Sequence, residues 1–156
     1  ADAVIVTGDE EEAAERVGNV LHLEHVFRLR RVNGQARLVE PPGRGVVPAA
    51  GTRVLAVAGI ARPERFFDAV EAAGWTLAGR LPFRDHHPYS ASDMARIVEA
   101  AEHAHAVMVL TTEKDLVRML PLRPFRMPVA WVPLRVGIEP AAVFRAWLGE
   151  RLDRQP

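Results

Sequence analysis

Apolar positions change their spacing along the chain, and each change marks an element. Val4-Ile5-Val6-Thr7 has the continuous apolar character of a short buried strand. Gly8-Asp9 breaks it. Residues 10–17 then read as a short helix whose acids crowd the first turn, where the positive end of the helix dipole favours them. Residues 26–32 and 35–39 are strand-like runs on either side of Asn33-Gly34, and Asn-Gly between two such runs predicts a hairpin. Pro41-Pro42-Gly43-Arg44-Gly45 has the composition of a linker.

From Thr52 the alternation becomes regular. Residues 53–58 form a buried strand that Gly59 ends. Pro63 opens a helix at a position where its missing N–H does no harm, and Phe66, Phe67, Val70 and Ala73 share one face of it. Gly74 stops that helix, and residues 75–81 are a weaker strand. Ser90 opens the next helix, with Asp93 three residues on in a capping-box arrangement. Met94, Ile97, Val98 and Ala101 form its apolar stripe. Residues 106–110 are a third strand, and Thr112 caps a helix carrying Leu116, Val117 and Leu120. Residues 129–132 are a fourth strand, and Pro140 begins a last helix with Phe144, Trp147, Leu148 and Leu152 inward. Four rounds of strand and helix predict an α/β fold, a mostly parallel sheet with helices on its faces, preceded by the hairpin.

Composition narrows the function. The 156 residues suffice for one domain, alone or with an extension. The formal net charge is zero, which argues against a dedicated nucleic-acid binder. The chain has no cysteine, so neither disulfides nor thiolate metal sites can form within it. No apolar run approaches the length that spans a bilayer. The start Ala1-Asp2-Ala3 shows no basic n-region and no initiator methionine, which predicts the interior of a longer gene product. There is no G-x-x-x-x-G-K-[ST] loop.

In open parallel sheets, ligands bind beyond the carboxyl ends of the strands. Three segments fall at such ends: Gly59-Ile60-Ala61-Arg62, Asp85-His86-His87 and Thr111-Thr112-Glu113-Lys114-Asp115. Each precedes a helix start, whose free N–H groups suit anions such as phosphate. Asp85 can hold the imidazole of His86 in one tautomer, making it a general base or the partner of one. Lys114, the chain's only lysine, can meet a phosphate as a point charge. Ser90 and Thr112 serve equally well as plain helix caps. His103 and His105 fit a helix end, and His22 and His25 a surface approach to the hairpin. The Arg-containing stretch 122–128 fits a connecting loop better than an anionic lipid contact.

Residues 56–67, Phe83-Arg-Asp-His-His-Pro-Tyr89 and Leu110-Thr-Thr-Glu-Lys-Asp115 resemble, in order and spacing, the C-terminal half of the tetraacyldisaccharide 4'-kinase family. Residues 1–7 are similar to the last core strand before that family's hinge, and the Asn33-Gly34 hairpin to the hinge itself. The resemblance implies a division at residue 48. Residues 1–48 would complete the N-terminal core and carry hinge and linker, and 49–156 would form the C-terminal lobe of a P-loop kinase fold.

The implied activity is transfer of the γ-phosphoryl of ATP, with Mg²⁺, to the 4'-hydroxyl of a lipid disaccharide 1-phosphate. It would take place at the cytoplasmic face of the bacterial inner membrane, without nucleic acid. His86, with Asp85 beside it, would work with an aspartate outside this chain to activate the acceptor hydroxyl. His87, Thr111, Thr112, Glu113, Lys114, Asp115 and Arg62 would shape the crevice, and no residue here would bind metal. The phosphate-gripping loop would lie in the other half, so these 156 residues alone are expected to be inactive. Two rival readings are a metal-dependent phosphoesterase built on Asp-His-His, and a non-catalytic partner-binding module.

Overall fold

The computed structural model describes residues 1–7, 11–40 and 51–153. The Gly8-Asp9 break, the Pro41–Gly45 linker and the boundary at residue 48 lie wholly or partly outside them. The elements in chain order are β1 (Val4–Thr7), α1 (Glu11–Leu21), β2 (Val26–Asn33), β3 (Arg37–Glu40), β4 (Arg53–Ala58), α2 (Pro63–Ala72), β5 (Thr76–Pro82), α3 (Ala91–His103), β6 (Met108–Thr112), α4 (Glu113–Met119), a 3₁₀ turn (Leu120–Leu122), β7 (Val129–Val132), β8 (Leu134–Glu139) and α5 (Ala141–Asp153). The expected α/β class is what forms.

The chain divides into two compact units, residues 33–134 and residues 1–32 with 135–156. Residues 135–156 thus join the N-terminal strands, whereas the sequence reading put them in the lobe starting at 49. The reason is β8, a strand the sequence reading left out, which lies beside β2 in the sheet β1-β2-β8. In this smaller unit β1 runs parallel to β2. Phe27 is buried and meets Phe144 edge-on at 5.0 Å and Trp147 at 5.6 Å. That cluster accounts for the inward part of α5. Leu148 and Leu152, expected to point inward as well, are 38% and 63% exposed, because a helical stripe is buried only as far as a packing surface reaches.

The larger unit holds a five-stranded sheet in the order β3-β7-β6-β4-β5. Strands β4, β5, β6 and β7 are mutually parallel, and β3 adds to the β7 edge antiparallel. The central strands β4 and β6 are apolar and buried almost throughout, as strands covered on both faces must be. Their side chains alternate between two cores. Val54, Ala56, Ala58 and Leu110 pack under α2 with Phe66, Phe67 and Val70. Leu55, Val57 and Val109 pack with Ile97 and Ala101 of α3 and Leu116 and Met119 of α4.

Three expectations need correction. The Asn33-Gly34 hairpin does not form: β2 and β3 belong to different sheets, and β3 pairs with β7. The tight turn that Asn-Gly favours needs positive φ at both residues, and neither has it. Gly34 N–H instead donates to Pro133 O at 2.7 Å. Of the apolar positions expected on α4, Leu116 is buried but Val117 is 62% exposed and Leu120, past the helix end, is 38% exposed; Met119, the i+3 neighbour of Leu116, is the buried residue that completes the inward face. Ala73 is exposed, since it caps α2 just before Gly74 leaves the helix at φ +89°.

Candidate functional site

Strand order places the site. From β4 the chain crosses to β5 on one side, then returns past β4 to β6 on the other. The carboxyl ends of β4, β5 and β6 therefore border a topological switch point, where open α/β sheets offer a crevice. Gly59 follows β4, the Asp85-His86-His87 loop follows β5, and Thr112 ends β6 and caps α4 directly.

The loop is tied back to β4 by its own backbone. Phe83 N–H donates to Ala58 O at 2.8 Å, His86 N–H to Gly59 O at 3.2 Å, and His87 N–H to Arg84 O at 3.2 Å. His86 takes φ +60°, a left-handed conformation uncommon outside glycine and kept where surroundings enforce it. Its imidazole is 68% exposed, and Nδ1 lies 2.9 Å from Asp85 Oδ1. Lys114 Nζ reaches the same oxygen at 3.4 Å. The Asp85 carboxyl lies below the usual carboxylate range. Desolvation alone would raise it, but the Lys114 hydrogen bond, the charges of His86 and Lys114 and the His86 hydrogen bond together outweigh that. An ionised carboxylate facing Nδ1 needs a proton between them, so Nδ1 carries it and Nε2 is left as the basic nitrogen.

His87 turns the other way. It packs between Phe83 (ring centroids 4.7 Å apart) and Tyr89 (5.0 Å, edge-on), with Nε2 3.1 Å from Asp93 Oδ2. Asp93 closes the expected capping box: Ser90 N–H donates to its Oδ2 at 2.9 Å, and Asp93 N–H donates to Ser90 Oγ at 3.2 Å. The Ser90 hydroxyl is the main reason the Asp93 carboxyl is lowered. Desolvation opposes the shift, and His87 and the Ser90 backbone add to it. The two histidines of the motif are thus separated in environment, one open and one packed against the helix start.

The Thr111–Asp115 segment is mixed: Thr111 and Asp115 are buried, Thr112 is half-buried, and Glu113 and Lys114 are exposed. Thr111 is buried and donates Oγ1–H to Val57 O at 2.9 Å. Asp115 is also fully buried, and its Oδ2 accepts Gly59 N–H at 2.9 Å and Thr112 Oγ1–H at 2.7 Å. Arg118 approaches Oδ1 at 3.3 Å. Glu113 accepts the Leu134 N–H at 3.4 Å. Lys114, exposed like Glu113, is the member of the segment that reaches Asp85. Arg62 is exposed and serves as N-cap of α2 without a side-chain cap bond. Gly59 sits where no side chain fits. A Cβ there would stand 3.0 Å from Asp115 Oδ1, 3.0 Å from the Tyr89 hydroxyl and 3.3 Å from Arg84 O. Burial, with Asp115 next, pushes the Tyr89 hydroxyl far above its ordinary range. The sequence reading named Gly59 only as part of a strand-end segment and gave Tyr89 and Arg118 no place in this assembly. Gly59 and Tyr89 both lie inside motifs already singled out, and that was the available signal.

The remaining histidines have other settings. His105 follows the Ala104 cap of α3 at φ +53°, and its carbonyl accepts from Arg53 at 3.4 Å. His25 stacks on Phe27 in the smaller unit. Phe125 is buried in the core, so residues 122–128 act as a connection packed on the sheet. No helix among the described residues is long and apolar enough to cross a membrane.

The sequence pattern of the family described as Tetraacyldisaccharide-1-P 4'-kinase matches residues 1–153. A tetraacyldisaccharide 4'-kinase of Nitrobacter hamburgensis is 39% identical over 122 residues, 76% of this chain and 36% of that protein. One from Gluconobacter oxydans is 40% identical over 129 residues, 83% of this chain and 35% of that protein. This chain therefore spans about a third of the length of these curated relatives. The crystal structure of LpxK from Aquifex aeolicus in complex with ATP superposes with a TM-score of 0.57 at 17% identity, over 96% of this chain and 42% of that one. That likeness establishes a shared fold.

Proposed function

This chain belongs to the tetraacyldisaccharide-1-P 4'-kinase family, and on that premise we propose that it forms the histidine-bearing part of an ATP-dependent lipid kinase. The acceptor is the 4'-hydroxyl of a tetraacyldisaccharide 1-phosphate, and the pathway is that of lipid A. The observation that carries the reading is the exposed His86 imidazole, held by Asp85 at the carboxyl ends of parallel strands. Asp85 keeps the proton on Nδ1, so Nε2 is free to accept a hydrogen bond from the acceptor hydroxyl or from an aspartate that deprotonates it. Lys114 holds Asp85 ionised and stays close enough to meet phosphate charge.

Arg62 and Lys114 are exposed cations at this sheet end that suit the phosphates of ATP. Mg²⁺, when bound, would neutralise charge that develops on the transferring phosphoryl group. Among the described residues no group of three His, Cys, Asp or Glu side chains is placed to hold a metal ion, so none is assigned to it. The same geometry weighs against an Asp-His-His phosphoesterase: Asp85 and His86 face outward while His87 is packed against Phe83, Tyr89 and Asp93. A lipid acceptor brings the protein to a membrane surface, here the cytoplasmic face of the inner membrane.

In the full-length kinase that contains this chain, His86→Ala is expected to lower turnover by about 10²–10⁴-fold, the scale of acid–base residues, with thermal unfolding unchanged. Near-normal turnover removes His86 from the mechanism. The 156 residues alone carry no phosphate-gripping loop motif. Incubated with ATP, Mg²⁺ and the lipid acceptor, they are expected to yield no 4'-phosphorylated product, and product formation refutes that division of labour.

A further inference from the structure

We propose that Asp115 is a positioning residue for His86, a buried carboxylate that joins the end of β4 to the first turn of α4 so that Gly59 grips the His86 amide and Lys114 stays beside Asp85. The inference rests on the reading of His86 given above. Asp115 is fully buried and therefore touches no substrate itself. Its Oδ2 takes two donors from two different elements, Gly59 N–H after β4 and Thr112 Oγ1–H at the start of α4. Gly59 then passes the constraint on, because its carbonyl accepts the His86 N–H at 3.2 Å. The chain Asp115 carboxylate, Gly59 residue, His86 amide ends at a backbone held at φ +60°. A non-glycine residue keeps that conformation when its neighbours over-determine it. On the α4 side, Asp115 N–H donates to Thr112 Oγ1 at 3.1 Å, which fixes the turn that carries Lys114.

A carboxylate is a costly choice for a site with no water contact. If the only need were a filled core, an apolar group of similar size would serve as well or better. What an apolar group cannot do is accept donors from β4 and α4 at once. Gly59 shows how closely the parts are fitted, since a Cβ there would stand 3.0 Å from both Asp115 Oδ1 and the Tyr89 hydroxyl.

The test uses the full-length kinase with Asp115→Asn and the milder Thr112→Val, each alone and combined with His86→Ala. Asp115→Asn keeps the shape and one acceptor but sets an amide against Gly59 N–H and Thr112 O–H or against Arg118. The expected result is a fall in kcat of about tenfold or more with KM for ATP unchanged, and faster hydrogen exchange at the His86 amide. The double variant is expected to be no slower than His86→Ala alone, because both changes act on one group. Thr112→Val is expected to shift the same readouts in the same direction by less, and it carries the test if Asp115→Asn does not fold. Losses that multiply in the double variants, or an unchanged exchange rate at His86, overturn the inference. Normal turnover of His86→Ala instead sinks the catalytic reading of His86, while the exchange rate still decides whether Asp115 governs that loop.

Discussion

Two helix starts in this protein share one sequence pattern and end up with opposite duties. Ser90-Ala-Ser-Asp93 opens α3, and Thr112-Glu-Lys-Asp115 opens α4. In both, the first hydroxyl accepts the backbone N–H of the aspartate three residues on. They part at the carboxylate. Asp93 turns back to Ser90 and completes a local box, with 19% of its side chain still exposed. Asp115 keeps its cap hydroxyl too but also reaches Gly59, 56 residues earlier in the chain, and is sealed from solvent. The cause is position in the sheet. α3 follows an edge strand through a long loop, whereas α4 follows the interior strand β6 with no loop at all. A capping motif at a sheet's centre has another strand end within reach, and the one at the edge reaches only its own serine and the neighbouring His87.

The sharpest way to break this comparison is to remove the two carboxylates separately. Asp115→Ala strands two or three inward-pointing donors and is expected to cost about 3 kcal/mol or more in unfolding free energy. Asp93→Ala loses a partly exposed box and is expected to cost about 1 kcal/mol. Chemical denaturation of the two variants measures the difference, and equal losses contradict the assignment of different duties.

That difference also marks how far the sequence could be read. The α/β class, the three strand ends and both caps followed from periodicity and cap residues, because those signals are local. The exposed Asp85-His86 pair was visible for the same reason, as polar residues between an apolar run and a helix start. Burial of Asp115 was not visible, since it depends on Gly59 arriving from a distant strand end. The failed hairpin has a related cause. Asn33-Gly34 is a strong local turn signal, but β3 finds its partner in β7, nearly a hundred residues later. β8 was missed although Leu134, Val136 and Ile138 alternate with Arg135, Gly137 and Glu139, a strand signal present in the sequence.

The two histidines sharpen the contrast within a single loop. His86→Ala is expected to spare stability and remove activity. His87→Ala is expected to do the reverse, because it deletes the ring packed on Phe83 and Tyr89 and leaves Asp85, His86 and Lys114 in place. Aromatic contacts of this kind contribute about 0.5–1.5 kcal/mol beyond burial, so a loss of about 1 kcal/mol or slightly more is expected. Thermal unfolding and turnover on the two variants read out both halves. A large activity loss in His87→Ala at unchanged stability contradicts its role as an anchor.

The smallest effect is a pH dependence confined to the edge box. The Asp93 carboxyl is lowered in the folded protein, chiefly by the Ser90 hydroxyl, from an ordinary value near 3.8. A group lowered on folding adds stability that is complete above its unfolded value and disappears as pH falls through its folded value. The wild-type protein is therefore expected to lead Asp93→Asn in denaturation midpoint at neutral pH. The lead shrinks as pH drops below about 4 and vanishes once both states are protonated. Ser90→Ala removes the main cause of the lowering, so it should flatten the same limb of the curve. If wild type and Asp93→Asn run parallel from pH 7 down into acid, Ser90 and Asp93 form no charge-dependent box, and the edge start of α3 is held by His87 packing alone.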